Sequence, residues 1–196
     1  MLEIIELKQE DFSKYTQRIQ MNSSDVIQPV QEIIANVCEN KDKALHDYTL
    51  KFDKADISDF KVPVETIKQS VENISPKLRK ALEDAAENIS KFHKAQIPSD
   101  WTMTVKDGVK AGQIIRPLSR VGCYIPGGRA AYPSSILMTV IPAKIAGVEE
   151  IICCTPPDKD GCVSDEILAA AYIAGVTDIY MVGGAQAIAA MAYSTQ

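Results

Sequence analysis

The sequence predicts an α/β protein: an N-terminal helical region, then a β-hairpin, then a parallel βαβαβα sheet. Three observations lead there. All 10 glycines of the 196-residue chain lie between Gly108 and Gly184, and none occurs in the first 100 residues. Charge divides the other way, with 14 Lys/Arg and 18 Asp/Glu in residues 1–100 against 7 and 8 in residues 101–196. The charged half repeats its apolar residues at helical spacing, whereas the glycine-punctuated half alternates short strand-like runs with apolar helices at about 30-residue intervals. The predicted division is a mainly helical region over 1–100, a hairpin and linker over 101–118, and a Rossmann-like βα region over 119–196.

Each element has a local reason. Ser24 or Asp25 can cap a helix whose apolar positions are Val26, Val30, Ile33, Ile34 and Val37. A second helix follows Asp42 with Ala44, Leu45, Tyr48 and Phe52 on its apolar face, which leaves His46 as a surface imidazole. The stretch Asp56 to Val62 is short and extended, and Pro63 fits the first turn of a helix through about Val71. Ser75-Pro76 starts the longest helix, with Leu78, Leu82, Ala85, Ile89 and Phe92 in one stripe that ends before Pro98. These helices either pack within the chain or bridge to a partner subunit or another domain.

Beyond them, Trp101–Val105 and Val109–Ile115 flank Asp107-Gly108, a hairpin turn signal. A strand Val121–Ile125 meets Pro126-Gly127-Gly128, and a helix runs from Pro133 or Ser134 to Ala146 before Gly147. Glu150–Cys154 is the second strand, stopped by Thr155-Pro156-Pro157. A helix from Ser164 to Ala174 ends at Gly175, the third strand Asp178–Val182 runs into Gly183-Gly184, and a last helix spans Ala185–Ala192. Such an order implies right-handed crossovers and a parallel sheet, whose ligands sit at the carboxyl ends of the strands.

Composition narrows the partners. A net charge of −5 and a sequence pI of 5.1 leave no basic stripe for a phosphate backbone, so nucleic acid is not expected. No apolar run approaches the roughly 18 residues of a membrane span, and no membrane partner is expected. The start Met1-Leu2-Glu3-Ile4-Ile5-Glu6-Leu7 carries acids where a secretory signal has basic residues, which points to the cytoplasm. The five cysteines, Cys38, Cys123, Cys153, Cys154 and Cys162, form no C-x-x-C pair and read as reduced thiols. Neighbours on a strand point to opposite faces, so Cys153 and Cys154 read as buried small hydrophobes rather than a working pair, and Cys123 reads the same way.

Two strand ends carry glycine pairs, Gly127-Gly128 and Gly183-Gly184. Either pair alone reads as a tight turn; two at equivalent strand ends favour a ligand approaching backbone N–H groups. The grip is unorthodox. No G-x-G-x-x-G with a following ribose-binding acid is present, and Gly128-Arg129 stands where a phosphate-binding loop needs Lys-Ser/Thr. On pattern alone, Tyr124 reads as a core aromatic and Gln186 as a helix surface residue.

Longer motifs are more specific. Gly122-Cys123-Tyr124-Ile125-Pro126-Gly127-Gly128, Tyr132-Pro133-Ser134-Ser135-Ile136-Leu137-Met138, Pro142-Ala143, Ala146-Gly147, Thr155-Pro156-Pro157 and Val182-Gly183-Gly184-Ala185-Gln186-Ala187-Ile188-Ala189 closely resemble histidinol dehydrogenase. So do Phe52-Asp53-Lys54 and Phe92-His93-Lys94-Ala95-Gln96. The resemblance implies an aldehyde-dehydrogenase-like fold and a homodimeric, zinc- and NAD-dependent oxidation of L-histidinol through L-histidinal to L-histidine, the last steps of histidine biosynthesis. It also implies that Tyr124 and Gln186 contact NAD.

The resemblance places a Gly-Pro-Gly-Asn stretch, the zinc ligands and a Glu-His acid–base pair after the Gly-Gly-Ala-Gln motif, beyond residue 196. No catalytic or metal residue is therefore expected in this chain. His46 and His93 fall in helical scaffold and read as structural histidines. The chain reads as the N-terminal part of such an enzyme, truncated in an apolar helix and inactive alone, with an apolar surplus that the absent half or another copy would bury. Two further readings stay open: a relative in the same family acting on another primary alcohol, or a nucleotide-binding or assembly module without catalysis.

Overall fold

The structure, a computed structural model, describes residues 24–127 and 131–193. The acidic start Met1–Leu7 and Gly128 lie outside the described residues. Helix α1 spans Ser24–Phe52 and breaks at Lys41, whose backbone (φ 51°, ψ −130°) leaves the helical region, so two arms stand where two helices are expected. Helix α2 is Val64–Asn73 and α3 is Pro76–Lys94. Strands β1 (Trp101–Lys106) and β2 (Val109–Gln113) form the antiparallel hairpin, which ends two residues before the expected Ile115. Then follow β3 (Arg120–Tyr124), α4 (Pro133–Ile145), β4 (Glu150–Thr155), α5 (Asp165–Ala174), β5 (Asp178–Met181) and α6 (Gly184–Tyr193).

Local chemistry explains the boundaries. Ser75 caps α3 by accepting from the Leu78 N–H, with Pro76 in the first turn, where its missing N–H costs nothing. Gly175 ends α5 at φ 84°, a left-handed position that a side chain would strain.

The three parallel strands lie in the order β3-β4-β5, paired in register from Arg120↔Glu150 to Tyr124↔Cys154 and from Ile152↔Asp178 to Thr155↔Met181. The pleat sends alternate residues to two separate cores. Cys123, Ile125, Ile151, Cys153 and Ile179 pack on one face against α4 and α5, with α2 and α3 outside them. Tyr124, Cys154, Tyr180 and Val182 pack on the other face against α6 and the second arm of α1. Cys153 and Cys154 are thus both buried and on opposite faces. Burial pushes the Cys154 thiol up to about 12. Cys123 shares a thiol hydrogen bond with Cys153, which draws Cys123 down to about 7 while Cys153 rises.

Three expectations change. The stripe of α1 is exposed at its start, Val26 and Ile27 included, because that arm runs out beyond the sheet; burial begins at Val37. On α3 only Leu82 is fully buried and Phe92 is exposed, since the neighbouring α4 supports the helix along part of its length. The stretch before Pro63 is mostly loop, but residues 60–62 run antiparallel along β5: the Val62 N–H donates to Ile179 O at 2.9 Å and the Met181 N–H to Phe60 O at 2.7 Å. That segment covers the outer edge of β5, and Lys61 adds an ion pair to Asp178 at 2.7 Å.

His46 is half-buried and held in place. Its Nε2 lies 2.9 Å from Asp56, and its other ring nitrogen 3.6 Å from Asp47. The hydrogen bond to Asp56 raises its pKa above the ordinary value. A raised folded-state pKa favours the protonated form, so the pair stabilises the fold below the unfolded-state pKa and loses that effect as pH rises through the folded value. Proton NMR titration of His46 is expected to give a midpoint above 6.5 that falls back in Asp56→Asn; an unchanged midpoint in the variant would mean that Asp56 does not set it.

Candidate functional site

The carboxyl ends of β3, β4 and β5 meet around Pro156. A methyl group added at Gly127 would come 2.8 Å from the Pro156 ring, and one at Gly183 would come 2.6 Å from it. Both turns are therefore packed flat against one rigid ring, and a side chain at either would force the loops apart. Sequence reasoning treats Pro156 only as a strand stop; its pairing with two glycines 56 residues apart is legible only in three dimensions.

Tyr124, the last residue of β3, reaches across the sheet end. Its hydroxyl accepts the Gly184 N–H at 3.1 Å, at the first residue of α6. Gly184 has φ 63°, a conformation glycine adopts without strain, and Gln186 folds back beneath it. Gln186 is 1 % exposed, which corrects its reading as a helix surface residue: the first turn of α6 is turned inward against the sheet. Its Oε1 is buried and without a hydrogen-bond partner among the described residues. A buried, unpartnered amide oxygen costs about 1–3 kcal/mol. The structure thus brings Tyr124 and Gln186 to one place, on either side of Gly184.

Electrostatics separate the two helix starts nearby. Helix α5 begins with Asp165 and Glu166, which complement its dipole and repel an anion. The first turn of α6 carries no acid, so no side-chain charge there opposes a polar or anionic ligand group. A crevice of about 270 Å³ opens at the ends of β3 and β4, lined by Pro126, Gly127, Thr155, Pro156 and Ser164 among others. A larger hollow of about 520 Å³ lies along the α6 face of the strands, from Arg120 and Glu150 to Cys154 and Val182, and its Arg120–Glu150 ion pair is closed at 2.7 Å. That hollow contains neither glycine turn; the strand-end crevice contains Gly127 and adjoins the start of α5, while Tyr124, Gly184 and Gln186 line neither.

Among the described residues, no group of three or more His, Cys, Asp or Glu converges to hold a metal ion. His93 sits at the end of α3 against Phe92, with ring centroids 5.3 Å apart. No helix among the described residues is long and apolar enough to cross a membrane.

Comparison with known proteins agrees with this architecture. The family model for histidinol dehydrogenase matches residues 16–196. The chain belongs to the histidinol dehydrogenase family. It is 50 % identical over 196 residues to the histidinol dehydrogenase of Methanothermobacter thermautotrophicus and 46 % identical over 195 residues to that of Oceanobacillus iheyensis. Each alignment covers 100 % of this chain and 46 % of the relative. The crystal structure of histidinol dehydrogenase from Elizabethkingia anophelis superposes with a TM-score of 0.90 at 37 % identity, over 97 % of this chain and 44 % of that one. The chain thus spans a little under half the length of the histidinol dehydrogenases it matches, their N-terminal portion. The helices, hairpin and parallel sheet are those of a histidinol dehydrogenase.

Proposed function

We propose that this chain is the cofactor-carrying N-terminal portion of a cytoplasmic, homodimeric enzyme that oxidises L-histidinol through L-histidinal to L-histidine with two NAD. The observation that carries the reading is the meeting of Tyr124, Gly184 and the unpartnered Gln186 amide at a glycine-bounded strand end. NAD would supply the hydride acceptor. Around it, Gly127 and Gly184 leave exposed backbone for close approach, Tyr124 offers a hydroxyl and a ring face, and Gln186 offers the buried carbonyl and amide to a nicotinamide or ribose group.

Zinc fits differently. The described residues assemble no donor set for it, and the resemblance implies that the zinc ligands and the acid–base pair lie beyond the stretch this chain matches. What this portion does is hold and orient the cofactor against whatever the remaining portion contributes.

The test is spectrophotometric. The 196-residue chain with histidinol, zinc and NAD is expected to give no NADH absorbance, whereas a chain of the relatives' full length carrying these residues as its N-terminal portion should yield two NADH per histidinol. Turnover of a different primary alcohol in preference to histidinol would move the substrate assignment elsewhere in the family. Failure to bind NAD at all would favour a non-catalytic module.

A further inference from the structure

Cys123 and Cys153 are in-register neighbours on β3 and β4. Their side chains leave the same face of the sheet and meet in the α4–α5 core, where the two thiols share a hydrogen bond. No other two cysteines of the chain stand this way. Cys154 lies on the opposite face, Cys38 on the first arm of α1, and Cys162 is exposed in the segment between β4 and α5. Adjacent strands run about 4.8 Å apart, inside the range of roughly 4.4–6.8 Å between Cα atoms that a disulfide spans, and side chains on one face do not diverge.

The two thiols are unequal. Cys153, on the central strand, is 0 % exposed, whereas Cys123 keeps 8 % and lies against the hydroxyl of Thr139, a residue of α4 that is itself exposed. A small oxidant therefore reaches Cys123 first. The hydrogen bond from Cys153 draws the Cys123 thiol down against its burial, so Cys123 carries the thiolate and Cys153 keeps the proton. The strand-end site described above uses neither sulfur.

We propose that Cys123 and Cys153 form an oxidation site for peroxides, which closes to a reversible disulfide between β3 and β4. In the first step the Cys123 sulfur attacks hydrogen peroxide: an S–O bond forms, the O–O bond breaks, and the departing hydroxide takes a proton from solvent to leave as water. The charge on Cys123 that kept Cys153 protonated is then gone. In the second step the Cys153 sulfur attacks the sulfenic sulfur of Cys123: the S–S bond forms, the S–O bond breaks, and hydroxide leaves with the Cys153 proton as a second water. Two thiols lose two electrons and one peroxide gains them. A reducing thiol restores the pair by exchange. Cys123 directly precedes Tyr124, so oxidation acts on the strand end that holds the Tyr124–Gly184 hydrogen bond. The site rests on the packing of the β3–β4 core and is independent of histidinol oxidation.

The test treats the chain carrying Cys38→Ser and Cys162→Ser with hydrogen peroxide, blocks the remaining thiols with N-ethylmaleimide after denaturation, and maps the digested peptides by mass spectrometry. A linked Cys123–Cys153 peptide pair that dithiothreitol releases is expected, with free Cys123 lost at least about tenfold faster than free Cys154. Cys153→Ala should halt the reaction at a Cys123 sulfenic acid that dimedone traps. Cys123→Ala should slow oxidation of Cys153 about tenfold or more, because that thiol is sealed in the core. Cys123 and Cys153 that stay free at a peroxide dose consuming Cys162 in the unsubstituted chain overturn the proposal. So does loss of Cys154 as fast as Cys123, which would report an unfolded core, or a Cys123 bridge to a second copy of the chain. The peptide map of the doubly substituted serine chain decides even if an alanine variant fails to fold.

Discussion

Ile125→Ala is expected to cost this chain about 2–5 kcal/mol of folding stability, the range for truncating a fully buried aliphatic side chain. Ile125 is 0 % exposed and stands at the carboxyl end of β3, where its side chain enters the α4–α5 core and its N–H bonds Cys154 O. Truncation leaves a cavity that rigid neighbours on two helices fill poorly, so a loss near the upper end would consume much of a typical domain's 5–15 kcal/mol. Urea unfolding followed by far-ultraviolet circular dichroism should show the midpoint fall with little change in slope, and Ile125→Val should cost only about 0.5–1.5 kcal/mol. Because Tyr124 is the adjacent residue, the loss should also loosen the Tyr124–Gly184 hydrogen bond. An Ile125→Ala variant as stable as the parent would mean that the strand end is not fixed by this core.

Gln186→Met separates stability from function. The substitution keeps the length and volume of the side chain while deleting a buried amide oxygen that has no partner among the described residues. Removing that desolvated group is expected to stabilise the chain by about 1–2 kcal/mol. If Gln186 serves NAD as proposed, the same change in a full-length family chain should raise the KM for NAD about tenfold or more, because the donor and acceptor pair is gone. A site residue that costs stability in the free protein and contributes on binding is the signature sought. A destabilised variant would show that the amide is satisfied in the fold, and an unchanged KM would remove Gln186 from the cofactor site.

Much of the architecture is legible in the residues. Gly147, Gly175 and the Ser75-Pro76 start mark helix ends because each supplies a backbone conformation or cap that its neighbours do not. The alternation in Glu150–Thr155 correctly separates Cys153 from Cys154, since the two-residue period of a strand is a property of the backbone. The motif resemblance names the family that the comparisons show. Helical stripes are less informative: Val26 and Phe92 have the right spacing and still face solvent, because spacing says which residues share a face and not what lies opposite.

The site divides along the same line. Tyr124 and the Gly183-Gly184 turn can be placed at strand ends from local pattern, but Gln186 reads as surface until the first turn of α6 is seen folded inward beneath Gly184. Pro156 between two glycine turns and residues 60–62 along β5 involve groups far apart in sequence. By itself, then, the sequence determined the elements, their order, the parallel sheet and the family, because these follow from short-range periodicity, turn chemistry and motif spacing. Only the tertiary structure decided which faces are buried and which side chains converge, because those depend on long-range packing that no local pattern encodes.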